Sequence, residues 1–381
     1  MDFLFDNQKA VFFQVADLLN LEVDLLFFDT TSTYFEIDEE DEEGLRRYGH
    51  SKDKRPDLPQ IVIGLAVTKE GIPVRCWVLP GNTQDMNTVE MVKEDLRGWR
   101  LNRCIWVMDS GMNSEGNRII LQKGGTHYII GEKMRDAHDN YKEALKSRGR
   151  YRDVADNLKV KEVVIGDGER RCRYVVVYNP DEAKKDSAER QHTLKRIEEA
   201  LKALRQKKGR SHKKAVCELL SHRSMGRYLK QIKSGAIKID RKKVKREESL
   251  DGKYLLSTSD DSLNTLDVAL GYKQLMEVER AFRTLKTTLE LRPIYHRKDE
   301  RIRAHVILCF LALMLVRIAE LKTGKPWDKI RAVIERIHLG EFETKDGYFL
   351  QRTELTSEQA NILKKLEISP PPLFQKITLK G

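Results

Sequence analysis

Glu279 sits midway between Tyr272 and Lys286, seven residues from each, in the stretch YKQLMEVERAFRTLK. A helix turns once every ~3.6 residues, so seven-residue steps return to nearly the same face. The spacing predicts one helix with Tyr272, Glu279, Arg283 and Lys286 on one stripe. Leu275, Val278, Phe282, Leu285 and Leu289 form its apolar side. A carboxylate flanked by a phenol and cations suits a metal ion beside a phosphate. The bland alternative is an amphipathic surface helix laced with salt bridges. Two further acids follow short apolar runs: Asp29 after Val23–Phe28 and Asp109 after Cys104–Met108. Such runs read as strands buried on both faces, whose terminal acid is exposed yet rigidly held. Either Asp alone could equally be a turn or cap residue. Converging, Asp29, Asp109 and Glu279 could bind one or two Mg²⁺ or Mn²⁺ ions through oxygen. Two ions roughly 3.5–4 Å apart can activate water or a 3′-hydroxyl at a phosphodiester. Glu277 is a decoy, because it fails the seven-residue spacing on both sides.

The elements that must position these acids read as follows. Met1–Asn20 is an amphipathic helix, and Gln60–Thr68 with Ile72–Leu79 is a strand pair joined at Lys69-Glu70-Gly71. Asp85–Trp99 is a helix, and Glu115–Lys123 is another, capped by Ser114 or Asn113. Thr126–Ile130 is the next strand. Three consecutive strands followed by strand–helix alternation imply a mixed sheet. Val160–Ile165 and Arg173–Tyr178 form a hairpin around Gly166-Asp167-Gly168, and Ala183–Gln206 is a long charged helix. Tyr254–Ser257 resumes the strands, Tyr295–Ala319 is an apolar helix, and Ser369–Pro372 marks the end of compact structure.

The 381 residues carry 70 Lys and Arg against 59 acids, a net charge of +11. Residues 181–250 alone hold 22 basic and 10 acidic side chains, so the rest is nearly neutral. That basic segment suggests a polyanionic partner, against the plainer reading of a solvated helical arm. The acidic run Glu36–Glu43 and the basic patch Arg46, Arg47, His50, Lys52, Lys54 and Arg55 read first as a solvated loop. Five singly scattered cysteines argue against a zinc site or a disulfide framework and fit a reducing cytosol. The longest apolar run, Val306–Val316, is short of a membrane span and predicts a buried helix in a soluble protein.

FFDTTSTYFE, GHSKDKRPDLPQIVIGLAV, PGNTQD, VMDSGMNS and YKQLMEVERAFRTLK occur in order. Together they resemble the insertion-sequence DDE transposases over roughly residues 20–325. The resemblance implies an α/β fold with a ribonuclease-H-like mixed five-stranded sheet flanked by helices. A large basic insertion interrupts it before the helix carrying the third acid. The implied organisation is an N-terminal helix (1–20), core (21–131), insertion (132–254), core again (255–325) and C-terminal tail (326–381). In the family the catalytic, metal-binding acids match Asp29, Asp109 and Glu279, with Mg²⁺ or Mn²⁺ as cofactor, two ions expected. The helix signature Tyr-x2-Arg-x3-Glu-x6-Lys matches at Tyr272, Glu279 and Lys286, with Leu275 standing where much of the family has Arg. That departure puts one contact to the DNA phosphate in doubt, but a branch of the family shares it, so it does not imply an inactive chain.

By resemblance, Tyr272 and Lys286 hold backbone phosphates near the scissile bond, and Arg283 assists or serves as a surface ion-pair partner. Lys52 and Arg55 belong to a shared block and are assigned DNA contact. The expected reaction is metal-dependent hydrolysis at a transposon end, then attack of the freed 3′-hydroxyl on target DNA. The implied partners are terminal inverted repeats and target DNA, with a homodimer in the DNA complex as one option. The implied place is the bacterial cytoplasm, nucleoid-associated when DNA-bound. About 22 residues precede the first catalytic strand, which implies an N-terminally truncated chain or relocated end recognition. Two rival readings stay open: a catalytically idle DNA-binding remnant, and a structure-specific nuclease without strand transfer.

Overall fold

The computed structural model describes residues 7–99, 101, 104–135, 139–147, 149–167, 171–232, 234–343, 345 and 347–379. The expected helix over Met1–Asn20 and the Gly168 turn position lie partly outside them. In chain order the first elements are α1 (Gln8–Leu19), β1 (Leu25–Tyr34), β2 (Gln60–Thr68), β3 (Pro73–Pro80) and α2 (Thr88–Asp95). Next come β4 (Ile105–Met108), α3 (Glu115–Gln122), β5 (His127–Glu132), α4 (Asp139–Lys146), β6 (Arg152–Ala155), β7 (Leu158–Ile165) and β8 (Cys172–Tyr178). The basic segment supplies α5 (Pro180–Leu204), α6 (Gly209–Ser221), β9 (Leu229–Gln231), β10 (Ile237–Ile239) and α7 (Arg241–Glu248). Then follow β11 (Lys253–Thr258), α8 (Thr265–Lys273), α9 (Met276–Thr287), α10 (Asp299–Thr323) and α11 (Trp327–Ile334). The chain ends with β12 (Leu339–Glu343), β13 (Gly347–Arg352), α12 (Ser357–Lys365) and β14 (Phe374–Leu379). This is the mixed α/β architecture expected. Contacts divide it into a first unit of Met1–Thr88, Asp95–Leu101 and Met276–Gly381, and a second of Val89–Glu94 and Asn102–Leu275.

In the first unit β1, β2 and β3 form an antiparallel meander, with Asp29 opposite Leu65. Every residue of β2 is buried. The apolar run predicts a strand ending at Phe28, but β1 runs on to Tyr34 and puts Asp29 in its middle. The polar-looking TTSTY is rich in β-branched Thr, which fits an extended pleated strand, and it pairs fully with β2. Helix α9 packs on β1 and β2 through Val278, Ala281, Phe282 and Leu285, all buried. Each large side chain so buried contributes roughly 1.5–3 kcal/mol. α10 is long and apolar enough to cross a membrane by length and composition. Here it buries Ile302, Val306, Phe310 and Leu313 and packs on β3 and α9. Compact structure does not stop at the prolines: β14 follows them and pairs with β13, which also pairs with β12.

In the second unit β4 and β5 are parallel. The sheet does not end at β5. Its far edge takes β11, then β8, β7 and β6, all antiparallel. The insertion's hairpin therefore extends the sheet instead of forming a separate body. α8 packs over β5, β7 and β8, and α4 over β7 and β8. The basic segment closes its own small core around Ile197, Met225, Tyr228 and Leu229. Helix α5 starts earlier than expected because the Asn179 side chain accepts hydrogen bonds from the Asp181 and Glu182 N–H groups.

Candidate functional site

The single helix expected over the Tyr272–Lys286 signature is two helices. α8 stops at Lys273, and the Leu275 N–H donates to the Tyr272 carbonyl at 3.0 Å, a tightened i→i+3 turn. Leu275, at the position of the family's Arg, is 8% exposed. A buried leucine side chain offers no donor to a phosphate. The seven-residue step from Tyr272 to Glu279 thus does not run along one helix. The step from Glu279 through Arg283 to Lys286 does, within α9.

In the first unit Asp29 Oδ1 accepts the Thr30 N–H at 2.7 Å, and its side chain is 19% exposed. Lys52 places its Nζ 3.7 Å from Asp29 Oδ1 and 3.1 Å from Asp85 Oδ2. The same ammonium donates to the Thr30 carbonyl at 2.6 Å and to Thr30 Oγ1 at 2.7 Å. Thr30 Oγ1 in turn donates to Asp85 Oδ1 at 2.5 Å, and the Lys52 N–H donates to Ser32 Oγ at 2.9 Å. Two carboxylates share one ammonium, which leaves negative charge on hard oxygen donors. That donor chemistry fits Mg²⁺ or Mn²⁺. Asp85 closes the PGNTQD block, but nothing in its spacing marks it as the partner of Asp29.

Glu279 and Arg283 stand exposed on α9, and neither side chain has a hydrogen bond or ion pair among the described residues. Lys286 differs. Its Nζ lies 2.9 Å from Asp53 Oδ1, which also holds Arg292 Nη1 at 3.0 Å. Burial pushes the Lys286 ammonium below its ordinary value, against the opposing pull of Asp53. Arg55 is held by both carboxylate oxygens of Asp57, and its guanidinium lies 5.2 Å over the Tyr34 ring. That Asp57 hydrogen bond raises its pKa. Glu277 acts structurally, with its Oε2 3.5 Å from Arg317 Nη2, and Arg317 also donates to the Glu70 carbonyl at 2.5 Å. This clamp ties α9 to α10 and to the β2–β3 turn.

In the second unit Asp109 directly follows β4, and its Oδ1 accepts the Gly111 N–H at 2.8 Å. A side chain at Gly111 would put its Cβ 3.0 Å from that oxygen. Tyr272 stacks on Tyr254, ring centroids 5.8 Å apart. Its hydroxyl lies against Gly131, where a Cβ would come within 2.3 Å of it. Nearby, Glu132 accepts from Asn113 Nδ2 at 2.5 Å, and Arg118 is 3.6 Å away. Burial works against the Arg118 charge, but Glu132, with Tyr128, Tyr141 and Cys172 adding to it, outweighs burial and raises the Arg118 pKa. Gly131 and Tyr254 carried no local signal, since each acts through a distant partner. Within either unit, no group of three or more His, Cys, Asp or Glu side chains among the described residues stands close enough to hold a metal ion.

Residues 27–315 match the family model described as transposase DDE domain. The chain belongs to the DDE transposase family. No curated protein matches it. Among solved structures it is similar to the piggyBac transposase synaptic complex with hairpin DNA, at 13% identity and a TM-score of 0.39. That similarity covers 82% of this chain and 52% of the other, so the chain spans about half the length of that solved relative.

Proposed function

We propose that this chain is a metal-dependent DDE transposase that cleaves the end of a bacterial insertion sequence and joins its 3′-hydroxyl to target DNA. Membership of the DDE family supports the reaction class. The observation that carries the site is Asp29 held rigidly in β1, sharing one ammonium with Asp85. Asp29, Asp109 and Glu279 would hold one or two Mg²⁺ or Mn²⁺ ions. When bound, the ions supply an activated nucleophile and charge stabilisation at the leaving oxygen. The chain's own residues do the rest. The Thr30 N–H and Lys52 fix the Asp29 carboxylate, and the Gly111 N–H fixes that of Asp109. Exposed Arg283 is free to meet a phosphate, whereas Lys286 must first be released from Asp53 to do so. Tyr272 offers a neutral donor, and Arg55 keeps donors beyond those it spends on Asp57. The basic segment adds non-specific, salt-sensitive grip on DNA. The proposed place of action is the bacterial cytoplasm, on the nucleoid.

A second reading, an idle DNA-binding remnant, draws on the Lys52 ammonium already neutralising part of the Asp29 and Asp85 charge. One assay separates the possibilities: labelled element-end DNA with a target plasmid, with and without Mg²⁺ or Mn²⁺. Joined products establish the transposase. Cleavage without joining identifies a nuclease, and binding without metal-dependent products identifies the remnant.

A further inference from the structure

A groove of about 830 Å³ opens on the first unit between the end of β1 and the segment Arg292–Arg297. That volume is in the range of ligand sites, yet the lining is not that of a small-molecule pocket. Tyr295, on one wall, is 84% exposed, while Leu291 and Ile294 beside it are buried and anchor its backbone. Two residues on, Arg297 is exposed, and its guanidinium has no partner among the described residues. The facing wall presents the half-buried Tyr34 ring with Arg55 lying over it, while Phe35 beside it is buried. Four arginines line the groove, and three of them are held by carboxylates, Arg46 by Asp41, Arg55 by Asp57 and Arg292 by Asp53, so Arg297 is the unpaired one of the four among the described residues. The surface therefore offers one exposed flat ring, Tyr295, beside an unpaired planar cation, Arg297, with the half-buried Tyr34 and Arg55 on the facing wall.

A ligand that uses both the ring and the cation is flat and anionic at once, as a nucleotide is. Rings stack on bases of any sequence, and arginine forks take phosphates. A paired duplex hides its base faces in the helical stack, so Tyr295 can meet only an unpaired base. We propose that this groove takes an unpaired segment of a DNA strand, one base stacking on Tyr295 and the flanking phosphates facing Arg297 and Arg55. Choosing DNA over another planar anion rests on the transposase reading.

The test is anisotropy titration of the full chain, without divalent metal, against fluorescein-labelled oligothymidylate and a labelled blunt duplex. Tyr295→Ala is expected to weaken oligothymidylate binding about 5- to 150-fold, the equivalent of one lost base stack. Duplex binding is expected to change less than about twofold, and Tyr295→Phe to bind like wild type. Because the side chain is exposed, these variants should keep the wild-type melting temperature. The proposal is overturned by wild type failing to bind oligothymidylate, by Tyr295→Ala binding it unchanged, or by equal losses on single strand and duplex. Tyr295→Phe losing as much as Tyr295→Ala, or tighter binding of oligouridylate, overturns it too. With no metal present, the titration is independent of cleavage. A chain that cuts no DNA can still pass it, and an active transposase can still fail it.

Discussion

Asp53 Oδ1 stands 2.9 Å from Lys286 Nζ, and only 12% of either side chain is exposed. Arg292 reaches the same oxygen at 3.0 Å. One carboxylate thus serves two cations, and the consequences of removing each group differ. Lys286→Met leaves Asp53 paired with Arg292. Asp53→Leu leaves two cations beside each other with no counter-charge, at a cost of about 3–5 kcal/mol. Urea unfolding should therefore show Asp53→Leu as the more damaging change. Equal losses would contradict the account of Asp53 as the carboxylate shared by two cations.

Gly131 is required by contact and not by turn geometry. A Cβ there falls 2.3 Å from the Tyr272 hydroxyl, and Tyr272 is backed by Tyr254. Gly131→Ala should cost about 1–3 kcal/mol of stability, the usual range for overpacking. Combining it with Tyr272→Ala should recover part of that loss in a double-mutant cycle. Strictly additive effects would contradict the contact.

The acidic run folds back on the basic patch through Asp41 and Arg46. Hydrogen bonds from the Arg46 guanidinium hold the Asp41 carboxyl below its ordinary value of 3.8. A carboxyl depressed by folding stabilises the fold above its unfolded value, and the stabilisation disappears as pH falls through the lowered one. Asp41→Asn should therefore cost about 1.5–3 kcal/mol at neutral pH. The gap from wild type should close as the pH is taken below 3.8. A gap that persists in acid would contradict the ion pair as its source.

The cysteines differ in availability. Burial pushes the Cys76 and Cys104 thiols up to about 12 and Cys309 to about 11, and raises Cys172 as well. Cys217 is exposed. A thiol reagent at mildly alkaline pH should modify one of the five quickly in the folded protein, and Cys217→Ser should remove that phase. A second fast thiol would contradict the burial.

What the sequence made legible was local. CIWVM followed by Asp109 announces a buried strand with an acid at its end, and Ser114 caps the next helix by accepting the Asn117 N–H. Asp29 is legible as a site acid but not as a mid-strand residue, because TTSTY looks polar while its threonines are good strand formers. The break at Gln274–Leu275 carries no Pro or Gly of its own, so periodicity ran straight through it. The Lys52–Asp85 and Lys286–Asp53 pairs join residues far apart in the chain, and spacing cannot reveal them. The extension of the sheet beyond β5 is likewise a choice of edge, made by tertiary packing.

The most direct test of the central claim is single-turnover cleavage of labelled element-end DNA by wild type and Glu279→Ala, each with and without Mg²⁺. Glu279 is exposed on α9, so the variant should fold and bind DNA like wild type. Its cleavage rate should fall by more than about 100-fold, beyond what loss of a group merely supporting a metal ligand costs. Wild type should not cleave without metal. Cleavage by Glu279→Ala at the wild-type rate, or by either protein without a divalent ion, would contradict the metal–carboxylate account.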